Sequence, residues 1–208
     1  MGPLLALLFL LLSANLCLAG QKAPNGATTP TTPKLHDVNP QLLQLAIQDQ
    51  WDRGNDMFSG KQLVPPPNIN LNDRDAGRRA QVHKLLSDNA IISGRDFYYA
   101  ALIFHHSESS EDLLFAHLLS VTAMTKGNAS AKWLAAASFD RYLWSIKRSQ
   151  VFGTQFQKGP DGKLTMEPYD RKAVSDTVRS SWCVVSLEQE DLMLKSDLLA
   201  STTTPTCK

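Results

Sequence analysis

Residues 96–155 read DFYYAALIFHHSESSEDLLFAHLLSVTAMTKGNASAKWLAAASFDRYLWSIKRSQVFGTQ, and this stretch decides the fold. Phe97, Ala100, Ala101, Ile103 and Phe104 cover nearly every side of its first segment. That pattern predicts a helix over Asp96–His106 that is buried all round. Ser107–Ser110 breaks it, and Ser109 followed by Asp112 has the spacing of a capping box, with Asp in the place of Glu. A second, mostly apolar helix is predicted over Glu111–Lys126, with Gly127 as a left-handed C-cap. Asn128 or Ser130 then caps a third helix over Ala131–Arg148. Ala131, Ala135, Ala136 and Ala137 allow close helix approach, and Trp133 and Trp144 fill the larger gaps. The short polar breaks make these three helices antiparallel neighbours.

Towards the N-terminus, Pro40 suits a first helical turn. Leu42, Leu43, Ala46, Ile47 and Trp51 form an apolar stripe, so Gln41–Asp56 is predicted helical with Asp49, Asp52 and Arg53 on its polar face. Pro65-Pro66-Pro67 marks an extended connector over Ser59–Leu71. Asn72 or Asp73 caps the next helix, with Val82, Leu85 and Leu86 buried and Arg78, Arg79 and Lys84 along one side. Towards the C-terminus the helical period stops after Arg148. Gly159-Pro160-Asp161-Gly162 is a turn signal, which predicts a short β-hairpin or ordered loop near 150–166. Helical spacing returns over Tyr169–Ser181, and Ser186 with Gln189 opens a last helix. The fold class is therefore mainly α, a single domain of about six to seven helices packed as antiparallel pairs over residues 40–200.

The two ends read differently. Leu4–Leu12 is almost purely aliphatic, and Cys17-Leu18-Ala19 before Gly20 fits a small-residue cleavage rule. Residues 1–19 are expected to be a secretory signal peptide, too short for a good membrane span. Residues 20–39 are rich in Thr and Pro, a flexible leader by composition. Residues 201–208 are a polar tail. The expected location is secreted or periplasmic, with no stable membrane span after cleavage. The net charge of +1 and the mixing of signs give no nucleic-acid signature. Of three cysteines, Cys17 leaves with the signal. Cys183 and Cys207 remain, and a bridge between them would add on the order of 3 kcal/mol.

Polar residues among the apolar helices carry whatever chemistry there is. Asp140 falls on the apolar face of its helix with Trp133, Ala136, Ala137 and Trp144. A carboxylate there needs a partner, and Arg141, Arg53, Arg78, Arg79 and Arg179 are available. It is either half of an internal ion pair or an active-site acid or histidine orienter. His117 sits among Leu113, Leu114, Val121 and Met124, as a hydrogen-bonded core residue or as a neutral base. His105 and His106 suit a helix C-terminus. No ligand pair has the spacing of a helical metal motif, so neither metal nor cofactor is expected. In the string Gln150–Gln155, Gly153 lets the chain turn back while Gln150, Thr154 and Gln155 offer donors and acceptors. There is no nucleophile elbow, P-loop or dinucleotide fingerprint.

The order of these features resembles an uncharacterised bacterial domain family of unknown function. The matching residues are Gln48–Arg53, the pair His105-His106, Asp140-Arg141, the string Gln150–Gln155, and Asp176 with Arg179. The chain departs from the pattern at His105, where the family carries Gln. The resemblance implies that His106, Asp140, Arg141, Gln150 and Gln155 form one polar cluster, and it supplies no activity. The helix pairs also resemble tetratricopeptide or Sel1-like hairpins, without a repeat at fixed period. The expected function is a ligand- or protein-binding module built round that cluster, its partner unknown, with a protein or small anionic ligand as the occupants considered. One alternative is a hydrolase or transferase with His106 or His117 as base, Asp140 as orienter and Arg141 with Gln155 gripping an anion. The other is a purely structural polar core.

Overall fold

The computed structural model describes residues 38–196, with side chains through residue 194. The expected signal peptide, nearly all of the leader, residues 197–200, the tail and Cys207 lie outside the described residues. Among those described there are seven helices: α1 Pro40–Asp52, α2 Leu71–Ser87, α3 Gly94–His105, α4 Ser110–Thr125, α5 Ala131–Ser145, α6 Asp176–Ser181 and α7 Leu187–Ser196. A two-stranded antiparallel hairpin pairs β1 Gln157–Lys158 with β2 Leu164–Thr165. The mainly α class with a short hairpin is as expected. None of the helices is long and apolar enough to cross a membrane.

Caps fix where the helices begin. Asn39 accepts a hydrogen bond from the Leu42 amide at 3.0 Å, and Pro40 follows as the first helical residue. Ser93 and Asp96 form a reciprocated capping box at α3. Asp96 Oδ1 also accepts from the Asn39 amide at 2.8 Å, which ties the starts of α1 and α3 together. Val38 and Asn39 thus belong to the folded domain and not to the leader. At α4, Ser109 caps the Asp112 amide as its spacing predicts, while the Asp112 carboxylate accepts from Ser107 and pairs with Arg79. Ser130 makes no side-chain cap bond at α5, contrary to expectation.

Helices α3, α4 and α5 form the centre. Links of four and five residues leave no length for anything but antiparallel packing. Gly94 sits where a Cβ would come 2.8 Å from the Lys126 carbonyl, so the start of α3 presses on the α4–α5 turn. The main core joins Leu42, Val82, Ile103, Phe104, Leu119 and Leu134. A smaller one joins Ala136, Phe152 and Val184, with Trp133 and Trp182 packed on it.

Three readings need correction. The buried stripe of α1 is Leu42, Leu45, Ala46, Asp49 and Asp52, while Trp51 is 51% exposed. The two acids face inward because α2 buries Asp75 and Arg78 on the same side. Helix α5 stops at Ser145, since Lys147 turns left-handed at φ 59° and its amide bonds back to the Trp144 carbonyl. Helix α6 is shorter than Tyr169–Ser181, because Tyr169 lies alongside Gln150 in a backbone bridge. The Gln150 amide donates to the Pro168 carbonyl and the Asp170 amide to the Gln150 carbonyl.

Candidate functional site

The residues singled out in the sequence separate into two clusters. The first is built on Asp140, which is fully buried in α5. The chain leaving α5 turns at Gln150 and folds back over it. Asp140 Oδ1 accepts from the Val151 and Phe152 amides at 2.8 and 3.0 Å. Oδ2 accepts from the Thr154 amide at 3.0 Å and the Thr154 hydroxyl at 2.8 Å. Burial pushes this carboxyl upward, and the amide bonds pull it back. Among the described residues no guanidinium or imidazole bonds to it. The expected arginine partner is replaced by backbone N–H groups, which supply the same compensation without a second buried charge.

The two glutamines of the string are equally committed. Gln150 is fully buried and donates from Nε2 to the Gln155 carbonyl at 2.9 Å and to the Met166 carbonyl. It accepts from the Gln155 amide at 2.9 Å. Gln155 donates from Nε2 to the Ala137 carbonyl and to Thr154 Oγ1. Gln150, Thr154 and Gln155 therefore tie the loop to itself, to α5 and to Met166. From the other side, the loop rests on a buried Arg179. This guanidinium donates to the Phe152 and Val185 carbonyls at 2.9 and 2.8 Å, to the Tyr169 hydroxyl, and to Glu190. Burial pushes Glu190 up to about 7 against the pull of Arg179, and Tyr169 is also raised by burial and by Glu190. Gly153, at φ 69°, passes so close that a Cβ would meet the Tyr169 ring at 2.8 Å and Glu190 Oε1 at 2.9 Å.

The second cluster lies where α1, α2, the end of α3 and α5 meet. Asp49 is fully buried and is held by Gln50 Nε2 and Arg53 Nη1, each at 2.9 Å. Arg53 Nη2 reaches Asp75 at 2.5 Å. Asp52 accepts from Arg74 at 2.6 Å and Arg78 at 2.7 Å, and Arg78 also pairs with Asp75. Asp75 is raised by burial, but Arg53 and Arg78 more than offset this and hold it below the usual range. Arg78 Nε and Asp52 Oδ1 are buried without a hydrogen bond.

His106 caps the C-terminus of α3. Its Nδ1 lies 2.9 Å from Asp49 Oδ2, and a carboxylate only accepts, so Nδ1 carries the proton. The side chain is 16% exposed, and among the described residues no hydrogen bond is made by Nε2. Its neighbour His105 is buried, with Nδ1 3.1 Å from Ser138 Oγ. Burial, then His106, Arg141 and Arg53, drive His105 well below the usual imidazole range, so it is neutral. Among the described residues Arg141 makes no hydrogen bond and no ion pair. Burial and then Arg53 lower it, while Glu108 and Asp75 act in its favour.

His117 belongs to neither cluster. Its Nδ1 donates to the Ala135 carbonyl at 2.9 Å, and its ring packs on Phe139 and Trp182. Among the described residues no group of three or more His, Cys, Asp or Glu is placed to hold a metal. Asp49 was visible in the sequence, but as surface. The spacing Leu42–Leu45–Asp49–Asp52 marks it as inward, and Asp75–Arg78–Val82–Leu85 does the same on α2. A shallow groove lined by Phe58, Ile92, Arg95, Tyr98, Tyr99 and Lys126 includes none of the candidate residues. Comparisons with protein families, with curated proteins and with solved structures found no match.

Proposed function

We propose that this chain is an exported helical binding module whose ligand is a small anion held at Arg141. One observation carries the reading: a half-buried guanidinium with no acceptor of its own. An uncompensated buried charge costs several kcal/mol, so a fold keeps one only where something else supplies the counter-charge. Glu108 and Asp75 favour the charge through space, but neither bonds to it. Asp49, Asp52 and Asp75 are matched one for one by Arg53, Arg74 and Arg78. Arg141 keeps its fork free of hydrogen bonds and ion pairs among the described residues, and it suits a ligand carrying a single negative charge. The planar fork of a guanidinium fits a carboxylate with two parallel hydrogen bonds. Export is supported by the aliphatic opening Leu4–Leu12 and the small residues before Gly20.

Calorimetric titration with acetate tests the reading. The wild-type chain is expected to bind saturably, and Arg141→Gln to lose binding while keeping its melting temperature. Wild-type protein that fails to bind acetate, or binding that survives in Arg141→Gln, overturns it.

A further inference from the structure

The shallow groove between the start of α3 and the α4–α5 turn is lined by Arg95 and Lys126 and by no Asp or Glu. Among the described residues the Arg95 guanidinium makes no hydrogen bond and no ion pair. Lys126 Nζ lies over the Phe97 ring, 5.5 Å from its centroid, and has no acidic partner there. Arg95 stands in the first turn of α3, where the positive end of the helix dipole disfavours a cation. The acids beside the groove in sequence are committed elsewhere. Asp96 accepts from the Asn39, Ile92 and Ser93 amides, and Asp56 from the Phe58 and Ser59 amides and the Ser59 hydroxyl. The rest of the lining is apolar and aromatic. Phe58 and Ile92 are 67% and 68% exposed. The Tyr98 and Tyr99 rings lie 5.6 Å apart, and among the described residues neither hydroxyl makes a hydrogen bond. The floor is fixed: Asn128 donates from Nδ2 to the Gly94 carbonyl at 3.2 Å, next to the Ser93–Asp96 capping box. The groove is therefore formed before any partner arrives.

We infer that this groove binds an extended acidic peptide segment of another protein, with apolar side chains set among its carboxylates. The charge follows from two cations that nothing else in the groove answers, and the Arg95 fork takes a carboxylate with two hydrogen bonds. The apolar share follows from Phe58 and Ile92, whose contact with a partner removes exposed apolar surface from water. The extended form follows from the shape. The groove holds about 930 Å³ but is too open to enclose a small ligand, whereas a chain laid across it needs cover on one side only. The free Tyr98 and Tyr99 hydroxyls suit the backbone groups that an extended chain leaves unpaired. Arg141 does not line the groove, so this site is separate from the anion site proposed above.

Fluorescence anisotropy of a labelled peptide, Glu-Pro-Leu-Pro-Glu-Glu, titrated with the full chain at about 50 mM salt tests this. The wild type is expected to bind saturably. Arg95→Glu is expected to weaken binding about tenfold or more while keeping or raising the melting temperature, since α3 gains a charge that its dipole favours. Ile92→Ser is expected to weaken binding about threefold or more without changing its salt dependence. Lys172→Glu makes the same change of charge at an exposed site outside the groove, and it is expected to match the wild type, as is Arg141→Gln. A wild type that does not bind the peptide overturns the inference. Equal weakening by Lys172→Glu and Arg95→Glu also overturns it, because the attraction is then diffuse. Binding unchanged in Ile92→Ser removes the apolar share and with it the peptide. An oligothymidylate bound as tightly as the peptide overturns the choice of occupant.

Discussion

Replacing Asp140 by Ala removes the acceptor for three amides and one hydroxyl, and the cost follows from where those donors lie. The Phe152 amide is buried, and left unsatisfied it costs about 1–3 kcal/mol. The Val151 and Thr154 amides are only partly buried, so water recovers some of their loss, leaving about 1 kcal/mol each. The expected destabilisation is about 3–5 kcal/mol. For a domain of this size that is a fall in melting temperature of roughly 10 °C. Asp140→Asn keeps one acceptor oxygen for two of the amides and should fall between. Urea denaturation followed by tryptophan fluorescence reads both variants. If Asp140→Ala lies within about 1 kcal/mol of the wild type, the carboxylate does not hold the 151–154 loop and the reasoning fails.

Gly153→Ala is expected to cost about 2–4 kcal/mol by the same denaturation measurement, since it adds a left-handed penalty to a clash with Tyr169 and Glu190. Glu190 sets a pH dependence. Its folded value of about 7 is raised above the unfolded carboxyl's 4.5, so the folded state favours the protonated form. That contribution is full below 4.5 and is lost as pH rises through 7, so stability should fall across this window. Glu190→Gln, which carries a neutral side chain at every pH, should flatten the slope of a melting-temperature profile. On the proposed export, the mass of the chain recovered outside the cytoplasm should lack residues 1–19 and the hydrogens lost in joining Cys183 to Cys207. A thiol count of two on that product would remove the bridge.

The helical core was legible because its signal is local. Alternation of apolar and polar positions at the helical period placed α3, α4 and α5 to within a few residues, and Gly127 and Ser109 act as their spacing predicts. Helix ends were less legible where they depend on distant contacts. Helix α6 begins late because Tyr169 pairs with Gln150, nineteen positions away along the chain. The polar residues were found more reliably than their partners. Asp140, Gln150, Thr154 and Gln155 do meet, yet Asp140 is satisfied by backbone amides, which every sequence has and no sequence advertises. His106 meets Asp49, a carboxylate whose charge alone suggests the polar face of α1. Its position four residues after Leu45 was the better guide. The Arg179–Glu190 contact joins α6 to α7 and has no signature in spacing.

The claim on which the functional account turns is that Arg141 is left without a counter-charge so that an anion can provide it. The most direct measurement is the stability of Arg141→Met against the wild type, with and without acetate. Without acetate the variant is expected to be more stable by about 1 kcal/mol, because an unpaired half-buried charge is gone. Rising acetate should then stabilise the wild type by mass action and leave the variant unchanged. A variant that is less stable than a wild type indifferent to acetate would contradict the account.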